Sequence, residues 1–412
     1  MSLRAAANRQ IRVAFAALIA VGGLVGSAVA EPDGSDPSGE EIAELKHRIE
    51  QLEAKQRESE LEREAASSLV TPPDGPFPPV TLGVFASIDY LYSDQRAPGP
   101  GLLGTGDTNH FSLGELDLFL VSQLSDRFSV LGELLFEFDS ERDTRIDVER
   151  LLLKYDHTDW LSVSAGRGHS AIGYWNRAYH HGTYLWTTAT RPLIFEFEDE
   201  GGILPMHAIG IEASGVIEIP KGIVEYTASL SNGRGRTPGT IQITDDLNDS
   251  KMVGLALVWR PSDVPDLAVG INFVWDEIPG DSRGPPAVAR RRLDEYIAGG
   301  YVIYTGRPLE VLVEGQYIRH HQPGSGYDSL GGYAQISYKS GDWTPYYRFD
   351  LLQVDDDDPY YAQIPEAIDT RTHTAGIRFD WTSFLALKLE YQRVYSTGRN
   401  ANIAAVEAAL RF

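Results

Sequence analysis

The chain has no cysteine, only 3 methionines in 412 residues, and far fewer basic than acidic side chains, 36 against 59. Without cysteine there is no disulfide framework, no thiolate metal site and no lipid-attachment site of the lipoprotein kind. A formal charge of −23 argues against nucleic acid as a partner, because such binding sets basic groups against phosphates. Long apolar runs are also scarce. The one present, "VAFAALIAVGGLV", follows Arg4, Arg9 and Arg12 and precedes Ala28-Val29-Ala30. Positive region, apolar core and small-residue site together read as a secretory signal peptide over residues 1–30. The acidic, turn-rich "EPDGSDPSGE" that follows favours cleavage after Ala30 over a retained anchor. Loss of the three arginines moves the formal charge from −23 to −26. Past residue 30 no apolar run is long enough for a membrane helix. Any membrane span of this exported chain must therefore be built from strands.

What the chain does have is tyrosine (20) and glycine (40), a composition suited to strands and turns. One helix is expected, in "EEIAELKHRIEQLEAKQRESELEREAASSL". Ile42, Leu45, Ile49 and Leu52 take a, d, a, d of two heptads, after which Gln56 and Ser59 interrupt the stripe. Two heptads form either a short coiled coil holding protomers together or a solvated spacer. The prolines of "TPPDGPFPP" then end the helix and stiffen a linker. Residues 31–79 are thus expected to form a helical segment and linker ahead of the main domain, residues 80–412.

That domain repeats one texture, from "VTLGVFASIDYLY" to the terminal "NIAAVEAALRF". Sixteen segments alternate apolar and polar residues with the period of a strand. In the last, Ala404, Val406, Ala408, Leu410 and Phe412 share one parity, while Glu407 and Arg411 take the other. Connections sort by parity as well. Short ones such as "HTD", "PKG" and "GD" follow even-numbered strands, whereas "SDQRAPGPGLLGTGDTNH" and "DDDDPYYAQIPEAIDTR" follow odd ones. A soluble sandwich has no reason to sort its loops this way. An all-β, closed antiparallel transmembrane barrel of about sixteen strands does, with both chain ends in the periplasm. Aromatic residues near strand ends, among them Tyr155, Trp160, Trp259, Trp275 and Trp381, suit the two membrane interfaces.

With signal peptide, terminal Phe412, strand number and a longest loop after the fifth strand, the chain resembles a Gram-negative outer-membrane porin. The stretch "GHSAIGYWNRAYHHGTYLWTTATRPLIFEFEDEGGILPM", residues 168–206, and the helix before the barrel are similar to the phosphate-selective porin O/P-like group and related trimeric porins. The resemblance implies passive diffusion of small hydrophilic solutes, a loop folded into the lumen, and a homotrimer. It also implies recognition of the C-terminal strand, with Leu410 and Phe412, by the barrel-assembly machinery, and contact with outer-membrane lipid and lipopolysaccharide. The acidic composition departs from the basic lumens of the anion-selective members, which puts phosphate in doubt.

Arg167 just before the loop, with Arg177 and Arg191 in it, stands on the basic side and Glu196, Glu198, Asp199 and Glu200 on the acidic side as candidate constriction groups, together with Tyr174, Trp175, His180 and His181. Such groups either set a field across the pore or pair with one another to pin the loop. Tyr174, Trp175, Tyr179, Tyr184 and Trp186 either stack on sugar faces or pack the loop, packing being favoured. His169, His180 and His181, with Glu196 or Glu198, have no fixed metal-ligand spacing, and no metal or cofactor is expected. Arg290-Arg291-Arg292 either steers anions, contacts lipopolysaccharide or is solvated. No Ser or Asp stands with a histidine in a nucleophilic or acid–base motif, so an enzyme is not expected. The remaining alternative is a closed barrel tethering the outer membrane to the cell wall through the periplasmic helix.

Overall fold

The computed structural model describes residues 78–94, 108–138, 144–179, 181–239, 246–280 and 291–412. The expected signal peptide, helix and nearly all of the Pro-rich linker lie outside them, as do His180 and Arg290. Two units divide the chain: residues 1–82 with 121–123, and residues 83–120 with 124–412. In the first, the Ser122 hydroxyl donates to the Pro79 carbonyl at 2.9 Å. The second carries the registered strand pairs described below.

Sixteen strands make up the fold. The first five are β1 Val80–Ser93, β2 Thr108–Gln123, β3 Phe128–Phe138, β4 Thr144–Thr158 and β5 Leu161–His169. After a long crossing segment come β6 His207–Ile219, β7 Gly222–Ser231, β8 Met252–Pro261, β9 Leu267–Ile278 and β10 Leu293–Tyr304. The remainder are β11 Leu309–Gln322, β12 Ser325–Tyr338, β13 Trp343–Gln353, β14 Thr370–Thr382, β15 Leu385–Ser396 and β16 Arg399–Arg411. Each lies beside its sequence neighbours, and β1 beside β16 closes the sheet into a barrel. The closing seam is antiparallel, from Phe85 opposite Arg411 to Ser93 opposite Ile403. Two further bonds extend it: Val84 N–H to the Phe412 carbonyl at 2.7 Å, and Phe412 N–H to the Val84 carbonyl at 2.9 Å. The terminal residue is thus part of the seam.

Closure in this sheet accompanies an inverted distribution of side chains. On β16 the inward row is Ala401, Ile403, Ala405, Glu407 and Ala409, all buried, while Val406 is 47% and Phe412 74% exposed. Outward-facing Leu255, Ile271, Ile336 and Leu389 are likewise exposed. The buried row holds Glu295, Glu314, Arg348, Asp350, Lys388 and Glu390. A protein folded by water would place these the other way round. The alternation read from the sequence is therefore a true two-faced period, with charge inside and aliphatic side chains outside.

Connections after even-numbered strands are short, as the sequence indicated. Those after odd-numbered strands include all the long ones, yet β11–β12 and β15–β16 are joined by two residues each. These two tight turns carry Gly324 at φ 89° and Gly398 at φ 80°, a left-handed backbone that disfavours a Cβ. At neither position would an added Cβ meet an atom within 4 Å, so the constraint is conformational. Gly398→Val should lower unfolding stability by about 1–2 kcal/mol, with Gly398→Asn costing clearly less. Equilibrium urea unfolding in detergent micelles reads the difference, and equal effects of the two changes would contradict it.

Candidate functional site

Between β5 and β6 the chain runs through residues 170–206, starting two positions later than expected because β5 continues through His169. This segment has one short helix, α1 Trp175–Ala178, and three 3-10 turns, Thr183–Leu185, Leu193–Phe195 and Glu198–Glu200. Irregular backbone buried away from water needs a partner for every N–H and carbonyl. Here the barrel wall supplies many of them.

On one side, Glu314 of β11 accepts the N–H groups of Tyr174 at 2.7 Å and Trp175 at 3.2 Å. Gly173 donates to the Asn272 side chain of β9 at 3.2 Å. A Cβ at Gly173 would stand 2.1 Å from Glu314 Oε1 and 2.7 Å from the Phe195 ring. Only glycine lets the segment approach the wall so closely there. On another side, Arg348 of β13 donates to the Thr188 hydroxyl at 3.0 Å and to the carbonyls of Thr190 and Arg191 at 2.7 and 2.9 Å. Its Nε bonds Asp350 at 2.9 Å, and Asp350 accepts the Leu193 N–H at 3.2 Å. Lys388 of β15 donates to the carbonyls of Thr183 and Thr188, at 2.5 and 2.8 Å, and lies 2.7 Å from Glu407. Glu390 accepts the Ala189 N–H at 2.9 Å.

An apolar cluster adds to this polar docking. Trp175, Trp186, Ile194, Phe195, Ile203 and Leu204 pack with Ile297, Leu312, Ile318, Tyr333 and Leu352 of the wall. Fully burying each large side chain of this kind contributes about 1.5–3 kcal/mol. Tyr361, in the β13–β14 loop, gives its hydroxyl to the Ile203 carbonyl at 2.8 Å. Arg234, after β7, donates to the same carbonyl at 2.6 Å. Three connections therefore meet on one group.

The anticipated site residues separate into distinct places. Arg191 is buried, with its guanidinium carbon 3.5 Å above the Phe197 ring and its Nε 3.9 Å from Glu196. Burial, and then Glu200 close by, raise the Glu196 carboxyl well above its ordinary value. Arg177 stands apart and exposed, donating to Thr227 at 2.5 Å with Glu212 at 3.5 Å. Arg167 and His181 converge on Glu149 of β4, at 3.9 and 3.3 Å. His207 bonds the same carboxylate and lies 3.4 Å from Glu198. Burial alone would lower the His181 pKa, but Glu115 and Glu149 push it up to about 10. Burial would raise Glu198, yet His207 holds it below its ordinary value. Tyr174 and Trp175 pack against other rings, Tyr174 on Tyr301 at 5.7 Å and Trp175 on Trp186 at 5.7 Å between centroids. Of the candidate histidines, His181 meets His207 and Glu149, and the His169 ring lies 6.1 Å from that of His207. Glu314, Arg348 and Lys388 were not singled out from the sequence. Their signal was charge on the inward parity of otherwise aliphatic strands.

Two cavities border the segment. One of about 140 Å³ lies along β4–β7 and is lined by Arg150, Gly166, His169, Arg177, Glu212 and Ser229, among others. The other, about 670 Å³, sits at the short-turn end, where Arg307, Lys339 and Arg378 face Glu310, Asp342 and Asp380.

No protein-family model matches this chain, and no curated protein does. Its fold is shared with solved outer-membrane porins. The loop L8 deletion mutant of OmpT, an outer membrane protein of Vibrio cholerae, is 13% identical with a TM-score of 0.53, over 81% of this chain and 99% of that one. An anion-selective porin from Comamonas acidovorans is 12% identical at 0.55, over 81% and 99%. OprB of Pseudomonas putida is 12% identical at 0.51, over 81% and 94%. Likeness at this identity establishes the barrel and nothing finer.

Removing the Arg348 guanidinium would strip four acceptors of residues 188–191 and leave the buried Asp350 without its counter-charge. Arg348→Met should cost about 3–5 kcal/mol of segment docking. Hydrogen exchange should then show amides of the crossing segment losing protection while β14–β16 keep theirs. Unchanged protection at 183–197 would contradict the docking role.

Proposed function

We propose that this chain is an outer-membrane channel of the porin kind, through which small hydrophilic solutes diffuse passively. The observation carrying this reading is the inverted barrel: an exposed aliphatic row outside, and a charged inner wall with cavities beside the crossing segment. Hydrocarbon tolerates strands only when every backbone group is paired, and closure from β1 to β16 meets that condition. The crossing segment narrows the lumen. Most of its docking is on the β9–β15 wall, while Arg177 and His181 reach β6, β7 and β4, and the cavity along β4–β7 is the solute path. Glycine and serine line that side and keep it open, while Arg177 and Glu212 face one another there. No chemistry and no energy coupling are involved.

Residues 1–30 are removed on export, and residues 31–79 stand in the periplasm as a helical segment and linker. The short-turn end of the barrel faces the same compartment. Homotrimeric assembly fits the two heptads of that helix. Lipopolysaccharide and lipid surround the barrel, and Leu410 and Phe412 present the C-terminal strand to the assembly machinery.

Swelling of liposomes in isotonic sugars tests the proposal. The mature protein should admit pentoses faster than trisaccharides. Vesicles that carry folded barrels yet do not swell in the smallest sugar would point to the tether. Charge preference follows from the facing pair. Glu212→Gln leaves Arg177 without its counter-charge and should move the zero-current potential in a salt gradient toward anions, while Arg177→Gln moves it toward cations. Both shifts should shrink near 1 M salt, where the screening length falls to about 3 Å. Shifts of the same sign in the two variants would rule this pair out as the filter.

A further inference from the structure

Three carboxylates and two imidazoles meet where the crossing segment passes β4 and the start of β6. Glu149, His181 and His207 are each more than nine-tenths buried, and one ligand atom from each lies within 4.8 Å of the other two. Both imidazoles turn Nε2 toward the same oxygen, Glu149 Oε2. Their Nδ1 atoms face outward to separate carboxylates, His181 to Glu115 at 3.4 Å and His207 to Glu198 at 3.4 Å. This is the arrangement in which a carboxylate holds one imidazole nitrogen so that the other can bind a cation.

We propose that Glu149, His181 and His207 form a site for one divalent cation of the nitrogen-preferring kind, zinc being the type case. Bound there, the cation joins the crossing segment to β4 and β6. Zinc with ligands at about 2.0–2.2 Å in a tetrahedron needs neighbouring ligand atoms roughly 3.3 Å apart. His181 Nε2 and Glu149 Oε2 are 3.3 Å apart, His207 relaxes outward from its short contact with Glu149, and the ligand atoms of all three residues lie within 4.8 Å of one another.

Ring orientation is fixed independently of the ion. Phe197 stacks on His181 at 4.7 Å and 19°, and on His207 at 6.2 Å and 14°. Glu198 is itself held, accepting the Met206 and His207 N–H groups at 2.6 and 3.2 Å. Cationic neighbours are Arg167, 3.9 Å from Glu149 Oε2 with its Nε on the Glu149 carbonyl at 3.1 Å, and Arg191, whose guanidinium lies 3.5 Å from the Phe197 ring. The backbone bond orients the Arg167 guanidinium. With three protein ligands, one tetrahedral position is left for water.

Cobalt(II) replaces zinc in such sites and reports its ligands by visible absorption, so the test needs no transport assay and stands whether or not the channel reading does. Mature protein, folded in detergent and stripped with chelator, is titrated with Co²⁺. The expected result is one Co²⁺ per chain with a low-symmetry visible band. His181→Gln and His207→Gln should each weaken binding by at least about tenfold, and Glu198→Gln, which keeps all three ligands, by about tenfold. Folding of each variant is checked by its heat-modifiable mobility, and Glu198→Gln serves if a ligand variant does not fold. No Co²⁺ bound by folded wild type would overturn the proposal. So would equal binding by the heat-unfolded chain, undiminished binding in the folded variants, or full displacement by equimolar Ca²⁺, which prefers oxygen ligands.

Discussion

Closure of the strand ring is the constraint on which everything else rests. An open sheet of this composition would present unpaired backbone along two edges and an aliphatic face to its surroundings, and both favour aggregation. Pairing β1 with β16 removes the edges, and the last residue is used to do it, through its reciprocal bonds with Val84. Once the ring is closed, each strand position has only two environments, so alternation alone assigns every side chain. The chain can then afford buried arginine, lysine and glutamate in its sheet, because the inward face is where their partners stand.

Those inward charges explain how a 37-residue stretch of irregular backbone can be held inside a barrel. Arg348, Asp350, Lys388, Glu390 and Glu314 spend their hydrogen bonds on the backbone of the segment more than on one another. An ion pair alone repays little of its desolvation. A charge that also satisfies two or three peptide groups does more, because each of those groups would otherwise be buried unpaired. The aromatic and aliphatic cluster of Trp175, Ile194 and Phe195 with the β10–β13 wall adds hydrophobic burial. The result is a segment fixed mainly to the β9–β15 wall, with further ties from Arg177 to Thr227 and Glu212 and from His181 to Glu149, while glycine and serine line the cavity along β4–β7.

Strands were legible in the sequence because a barrel repeats one period sixteen times, and loop parity gave the closure. Both signals are local, and each strand restates them. The position of the crossing segment was legible too, apart from the two residues that β5 retains. Its pairings were not. Arg191 with Glu196 was among the pairings considered, but His181 with His207 and Glu149 joins residues 26 and 32 positions apart, and no periodicity connects an irregular loop to two strands. Glu314 and Arg348 had a weaker signal, a charge on the inward parity. That signal says a residue needs a partner without saying which backbone group will provide it. The tight β11–β12 and β15–β16 turns show the limit of the parity rule. It constrains which end may carry long loops, not that every loop there is long.

The most direct test of the central claim, that this closed barrel keeps a water-filled passage beside its crossing segment, is single-channel recording of the purified mature protein in a planar bilayer. The account predicts discrete, ohmic conductance steps of uniform size that persist at low voltage. A bilayer that stays silent while heat-modifiable, fully folded protein is present in it would contradict the account and make the segment a plug.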